Sequence, residues 1–127
     1  MRAPDGDRIR KAIDAAESGT TGRITVRIVH GKTADALEDA RKHFVHAHMH
    51  EHEHRNAVIF FVAPKARRFA VFGDKALHDH VGDAFWRGLV AEMKPYFASG
   101  DMTEGLVHGI GRVGEQLRSH FPSAVHA

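Results

Sequence analysis

Phe69-Ala-Val-Phe-Gly-Asp74 is a short apolar run that ends in a Gly-Asp pair, and this stretch decides the fold of the chain. An aromatic-rich segment with helical spacing follows it and includes Val81-Gly-Asp-Ala-Phe-Trp86. A second Gly-Asp pair, at the end of Phe97-Ala-Ser-Gly-Asp101, precedes one more segment with helical spacing. A strand followed by two helices, each beginning after a Gly-Asp pair, indicates an α/β domain.

The rest of the chain alternates between helical and strand-like patterns. Helices are predicted at residues 7–18, 34–50, 84–97 and from 101 onwards, with a short turn at 76–80, and strands at 23–30, 57–62 and 69–72. Residues 57–62 are apolar throughout, which is typical of a central strand that is covered on both faces. We therefore expect a three-layer α/β/α sandwich with a small mixed sheet of three or four strands, joined in part by a hairpin turn at residues 64–68.

Four glycines lie within the last predicted helix, at positions 105, 109, 111 and 114. Each should cost about 1 kcal/mol relative to alanine in a helix. Gly105, Gly109 and Gly114 flank the apolar stripe of this helix, so the pattern predicts that a neighbouring element approaches the backbone closely there.

Length and composition restrict the classes of protein that this chain can belong to. Its 127 residues, 43% of them apolar, allow one domain (residues 1–127, with the core at about 8–121) but not two. The absence of cysteine excludes disulfides, thiolate metal sites and thiol catalysis. No apolar run approaches the roughly 20 residues that cross a bilayer, and residues 1–7 lack the apolar stretch of a signal peptide. We expect a soluble, cytoplasmic protein that does not insert into a membrane.

The charge pattern argues against a nucleic-acid partner. The 18 Lys and Arg residues are scattered among 16 acidic ones, whereas nucleic-acid binding needs a concentrated basic face. Lys65, Arg67 and Arg68 form the densest basic spot, which we interpret as an exposed hairpin between two apolar strands. An unknown protein or small molecule is the expected partner.

A histidine tract is the first candidate metal site. Six histidines occur at positions 43, 46, 48, 50, 52 and 54. If the second helix continued to residue 54, one stripe within an arc of roughly 80° would hold four of them, namely His43, His46, His50 and His54. Such a stripe could chelate Ni²⁺, Cu²⁺ or Zn²⁺, and Glu51 or Glu53 could add a carboxylate. The alternative interpretation is a solvated helix end without a ligand.

The two Gly-Asp pairs around an aromatic-rich helix resemble the TPM domain, a small α/β module of bacterial envelope proteins and of a plant thylakoid-lumen protein linked to photosystem repair. Members have been described as acid phosphatases and as binders of divalent cations. The resemblance therefore implies a module that binds a divalent metal, a small ligand or a protein. The alternative function that the resemblance implies is a metal-assisted acid phosphatase, which would act as a phosphomonoesterase.

The resemblance also implies a second candidate metal site. In cation-binding members, aspartates from loops at one end of the sheet gather around the ion, and this chain offers Asp74, Asp79, Asp83 and Asp101, with His78 beside them. Oxygen ligands of this kind suit Ca²⁺ or Mg²⁺. The competing interpretation assigns Asp74 and Asp101 to helix N-caps. A purely capping Asp74 would tolerate replacement by Asn, which keeps the capping oxygen.

One part of the family pattern is missing. The amino-terminal motif, commonly Asp-Asp followed by paired leucines, is replaced here by Asp5 and Asp7 with Arg8 and Ile9. If that motif supplies ligands or the catalytic acid, the departure argues against phosphatase activity. No serine in the sequence has the context of a catalytic triad, so no catalytic residue is assigned.

Overall fold

A computed structural model describes residues 4–123, and residues 1–3 and 124–127 of the predicted domain lie outside this part. The helices are α1 (Gly6–Glu17), α2 (Ala36–His46), α3 (Lys75–Ala98) and α4 (Met102–His120), and the strands are β1 (Arg23–Ile28), β2 (Ala57–Ala63) and β3 (Arg68–Gly73). Short 3-10 turns occupy Met49–Glu51 and Pro64–Ala66.

The three strands form one mixed sheet in the order β1-β2-β3. Strand β2 pairs in parallel with β1 and antiparallel with β3. All seven residues of β2 are buried, because the strand has a neighbour on each side and helices over both faces. The prediction of a mixed sheet with residues 57–62 in its centre is confirmed.

Alternate side chains of β2 enter two separate hydrophobic clusters. Phe60 belongs to the larger cluster, together with residues of α1, α3 and α4 such as Leu106 and Ile110. Phe61 points the other way and belongs to the smaller cluster, which Phe44 of α2 completes. Helices therefore cover both faces of the sheet, as the predicted α/β/α sandwich requires.

Helix α3 begins nine residues earlier than the sequence predicts, because the segment interpreted as a turn is helical from Lys75 onwards. Leu77 in this first part is fully buried and packs in the larger cluster. A kink at Gly82, with φ 74° and ψ 172°, separates the early segment from the predicted one. Glycine reaches this backbone conformation without the steric penalty that a side chain brings.

Helix α2 ends earlier than predicted, at His46 instead of residue 50. His48 adopts a left-handed conformation with φ 60°, which stops the helix and leads into the 3-10 turn that follows. The apolar spacing that predicted the helix remains intact up to Phe44, which is fully buried. Beyond Phe44 no buried side chain belongs to α2.

The glycines of α4 lie where neighbouring elements come close. A Cβ atom at Gly105 would be 2.4 Å from the Phe97 ring, and one at Gly109 would be 2.6 Å from the sulfur of Met93. At Gly114 it would lie 2.9 Å from the Cα of Ala16 in α1. The predicted close approach is confirmed at these three positions, whereas a Cβ at Gly111 would meet open space.

Candidate functional site

The turn from β3 into α3 is built around Asp74. Its backbone N–H donates to the carbonyl of Ala57 at 2.9 Å, which extends the pairing of β3 with β2 by one residue. Its side chain is 6% exposed and accepts a hydrogen bond of 2.7 Å from the N–H of Lys75, at the start of α3. The N-cap interpretation of Asp74 is thus confirmed.

Asp74 also forms a two-pronged ion pair with Arg55, the residue that leads into β2. The Nε and Nη2 atoms of Arg55 donate to the two carboxylate oxygens at 2.7 and 2.9 Å. These hydrogen bonds, reinforced by the negative charge, raise the pKa of the Arg55 guanidinium above its ordinary value. The Arg55 backbone is left-handed, with φ 52°, and its carbonyl accepts from Ala76 N–H at 3.0 Å.

The predicted cation site did not include a basic partner for Asp74, whereas the structure places Arg55 on its carboxylate. The signal that could have found Arg55 is the antiparallel register of β2 and β3. Because Val58 pairs with Gly73, the residues just before β2 and just after β3 meet at the same end of the sheet. Arg55 and Asp74 are the charged residues at that meeting point.

A groove of about 540 Å³ opens beside this turn. We call it the corner groove, and it is lined by Leu37, residues 71–75, His78, Asp83, Trp86 and Arg87. Phe72 and Trp86 supply its apolar wall, and Lys75 and Arg87 bring cationic groups to its rim. Sequence reasoning did not identify this groove, because Leu37 and Trp86 are far apart in the chain and their patterns predict only helix packing.

Trp86 is held in place from two sides. Its indole N–H donates to His78 Nδ1 at 3.0 Å, so this imidazole nitrogen is the acceptor and carries no proton. The ring lies against Gly73, where a Cβ atom would be 2.4 Å from Trp86 Cζ2. The other imidazole nitrogen of His78, Nε2, lies 3.5 Å from a carboxylate oxygen of Asp83. The corner groove therefore has a fixed aromatic wall.

The predicted carboxylate site is divided between two ends of the molecule. His78, Asp79 and Asp83 follow Asp74 along α3, but Asp79 does not line the corner groove. Asp101 caps α4 through the N–H of Glu104 at 3.4 Å, beyond the far end of α3. The part of α3 after its kink spans roughly 24 Å. Asp101 instead shares a separate cavity of about 300 Å³ with Asp5 and Arg8.

The histidine stripe is not formed, because α2 ends at His46 and cannot place the later histidines one turn apart. His43 packs on the ring of Phe61, with ring centres 5.2 Å apart. His48 Nδ1 contacts a carboxylate oxygen of Glu51. His50 and His54 lie after the end of the helix, in the connection to β2. The condition for the stripe, a second helix that continues to residue 54, is therefore not met.

Within residues 4–123, no three His, Asp or Glu side chains are placed together as ligands for a metal ion. Binding of Ca²⁺ or Mg²⁺ by the carboxylates, and of Zn²⁺, Ni²⁺ or Cu²⁺ by the histidines, stays a prediction.

Comparison with known proteins identifies the family. The sequence model of the TPM domain matches residues 2–116. The chain belongs to the TPM domain family. No curated protein matches it in sequence. Across residues 4–123, none of the helices combines the length and the apolarity that crossing a bilayer requires.

Solved structures support this membership. The NMR structure of the BA42 protein from the psychrophilic bacterium Bizionia argentinensis is 30% identical, with a TM-score of 0.84, over 95% of this chain and 86% of that one. An amino-terminal domain of a protein from P. gingivalis is 18% identical, with a TM-score of 0.77, over 96% and 82% of the two chains. The amino-terminal domain of cg2496 from Corynebacterium glutamicum is 17% identical, with a TM-score of 0.70, over 93% and 74%. At these lower identities the last two show the fold alone.

Proposed function

We propose that this TPM domain is a binding module without catalytic activity, and that the corner groove is its ligand site. The observation that carries the proposal is the groove itself, in which an apolar wall fixed by Trp86 adjoins the cationic rim of Lys75 and Arg87. Ligand sites commonly combine an apolar surface with a few convergent polar groups. The ligand class that fits this combination is an apolar group carrying a carboxylate.

Two acid or base candidates beside the groove, the Asp74 carboxylate and His78 Nδ1, are already engaged in structural roles. Both oxygens of Asp74 accept hydrogen bonds from Arg55, and Nδ1 of His78 accepts one from Trp86. General acid or base catalysis needs a group that can exchange its proton with the substrate. These contacts support binding over hydrolysis at this site.

The alternative, a metal-assisted phosphomonoesterase, stays a prediction with its own test. Hydrolysis of a generic aryl phosphate would be measured at acidic and neutral pH, with and without divalent metals. Metal analysis of protein purified without an affinity tag or metal column would test the predicted Ca²⁺, Mg²⁺, Zn²⁺, Ni²⁺ and Cu²⁺ sites. Turnover that depends on an added metal would contradict the proposal of a non-catalytic module.

The corner groove is tested by titrating ¹⁵N-labelled protein with a set of small aromatic and aliphatic carboxylates. We expect the largest amide shifts at residues 71–75, 86 and 87. Leu37 is 54% exposed on α2, so Leu37→Asp should leave the fold intact while placing a negative charge in the groove. That change should weaken binding by about tenfold or more, equivalent to about 1.4 kcal/mol.

Val45 provides the matched control. It is 43% exposed on the same helix and does not line the corner groove. Val45→Asp should therefore bind the same carboxylates with unchanged affinity. Equal weakening by Leu37→Asp and Val45→Asp, or shifts confined to another surface, would show that the groove is not the ligand site.

A further inference from the structure

The outer edge of β3 carries backbone groups that have no hydrogen-bond partner among residues 4–123. Asp74 N–H donates to Ala57 across the sheet, so the backbone N–H and C=O of residue 74 point toward β2. In antiparallel pairing these backbone groups alternate in direction along the strand, so those of residues 72 and 70 point toward β2 as well. Phe69, Val71 and Gly73 must then direct their N–H and C=O groups away from the sheet. Within residues 4–123 no strand pairs with this side of β3.

The opposite edge of the sheet is covered at the beginning of β1. Val29 N–H donates to Val62 of β2, so by the same alternation Ile24 N–H points outward from β1. Glu17 of α1 accepts that N–H at 2.7 Å. Natural sheets protect their edges with bulges, prolines or covering groups. Strand β3 (Arg68–Gly73) contains neither a proline nor a bulge, and its edge without a strand partner runs for five residues from Phe69 to Gly73. Val71 in the middle of this edge is 6% exposed and lines the corner groove.

A second groove adjoins the beginning of this edge, as the corner groove adjoins its end. It has a volume of about 860 Å³, and we call it the basic groove, lined mainly by Pro64, Lys65, residues 67–69, Lys94 and Phe97. Phe69 and Phe97 form its aromatic wall, with ring centres 4.3 Å apart. Helix α3 contributes to both grooves, through Trp86 and Arg87 in one and Lys94 and Phe97 in the other.

The charges along the two grooves are mostly positive and mostly unpaired. Six cations there have no acidic partner among the described residues, namely Lys65, Arg67, Arg68, Lys75, Arg87 and Lys94. The two acids, Asp74 and Asp83, already face Arg55 and His78. The dense basic spot at residues 65–68, which the sequence interprets only as an exposed hairpin, thus belongs to a longer cationic strip beside β3.

We propose that an extended acidic peptide binds along β3 as a fourth strand of the sheet, which rests on the proposal that the domain is a binding module. The backbone of the peptide pairs with Phe69, Val71 and Gly73 over about five residues. Side chains alternate between the two faces of an added strand. Carboxylates on one face meet Arg87 and Lys94 of α3, and apolar side chains on the other face meet Phe72 and Leu37.

The test uses a peptide with this alternation, acetyl-Glu-Val-Glu-Val-Glu-Val-Glu-amide, and the full chain labelled with ¹⁵N. Saturation with the peptide should slow hydrogen exchange at the amides of Phe69, Val71 and Gly73 by about tenfold or more. The amides of Ala70 and Phe72, which already face β2, serve as internal references. Binding without slower exchange at the three outward amides would overturn strand pairing.

Two methylated peptides separate backbone pairing from charge attraction. One carries N-methyl groups on its valines and the other on its glutamates. In an added strand only one of these two sets of N–H groups faces β3, so one peptide should lose binding and the other should keep it. Equal affinity of both would overturn the proposal.

Charge recognition is tested by Lys94→Glu, an exposed residue of α3 whose replacement should not disturb folding. Lys94→Glu should weaken binding of the acidic peptide by about tenfold or more. Lys11→Glu makes an equal charge change on α1 outside both grooves and should leave this binding unchanged. A peptide with lysine in place of glutamate should not bind. Equal binding of that peptide, or of a short single-stranded DNA, would overturn the proposal. Failure with every peptide, while small carboxylates still bind the corner groove, would leave the proposed function in place.

Discussion

At the scale of single residues, the pairing of Asp74 with Arg55 is the contact that sequence reasoning describes least well. The Gly-Asp pair at the end of an apolar run correctly predicts a helix cap. The ion pair depends on two residues that are far apart in the chain and on the left-handed backbone of Arg55, which no local pattern indicates. Leaving a buried carboxylate without its charged partner lowers the free energy of unfolding more than losing a helix cap alone does.

Replacement of Asp74 by Asn tests this difference. The amide keeps one capping oxygen but turns an N–H₂ donor toward the donors of Arg55. We expect Asp74→Asn to lower the free energy of unfolding by about 1–2 kcal/mol. The expected loss is smaller than for a fully buried ion pair, because Arg55 is half exposed and solvent screens its charge. Urea unfolding at pH 7 measures it. Asp101 is an exposed cap without an ion pair among the described residues, so the free energy of unfolding of Asp101→Asn should stay within about 0.5 kcal/mol of wild type. An equal loss of stability in both variants would show that the ion pair with Arg55 does not contribute.

At the scale of helices and strands, α4 shows what glycine does when its hydrogen is the only group that fits. The close approach of α1 at Gly114 involves backbone and Cβ atoms of Ala16, which cannot move as the end of a flexible side chain can. The same helix has a glycine in open space at position 111.

These two glycines make a matched pair of variants. Gly114→Ala should destabilise the protein by about 1–3 kcal/mol, because the added methyl group pushes α1 away from α4. Gly111→Ala should stabilise it by about 0.5–1 kcal/mol, since alanine has the higher helix propensity and meets no neighbour. Thermal unfolding of both variants provides the comparison. Stabilisation by Gly114→Ala would show that the two helices are packed less closely than described.

Periodicity predicted the existence and order of these elements better than their ends. The apolar run at residues 57–62 predicted a buried strand, and the glycines beside the α4 stripe predicted close packing. Both predictions need only neighbouring residues in the sequence. The carboxyl end of α2 and the break within α3 depend instead on His48 in a left-handed conformation and on Gly82 at a kink. The corner groove depends on contacts between distant residues, which single-sequence patterns do not encode.

At the scale of the whole molecule, α3 and α4 are linked on their exposed sides by one acidic residue. Glu92 of α3 accepts hydrogen bonds from His108 at 2.7 Å and from Arg112 at 3.1 Å. The contact with His108, followed by that with Arg112, lowers the pKa of Glu92 below its ordinary value of 4.5. A carboxyl group whose pKa is lower in the folded state stabilises that state at pH values above its unfolded-state pKa.

This contribution should therefore be complete above about pH 4.5 and be lost as the pH falls through the lowered pKa. We expect Glu92→Gln to have a lower melting temperature than wild type at pH 6, with the difference shrinking as the pH approaches 3. Differential scanning calorimetry across this range measures the effect. Glu53→Gln, in the exposed connection before β2, is the control and should follow wild type throughout. A difference in melting temperature between Glu92→Gln and wild type that does not change with pH would mean that the charge of Glu92 does not stabilise the contact between α3 and α4.

The packing of α1 against α4 has a consequence for the chain while the ribosome is still producing it. The apolar side of α1 lacks its partner until α4 has been made, and the roughly 85 residues between them take about 4–17 s at 5–20 residues per second. During this interval Ile9 and Ala16, buried in the finished fold, stay exposed to other nascent chains and to chaperones. The domain can close only after α4 has been made.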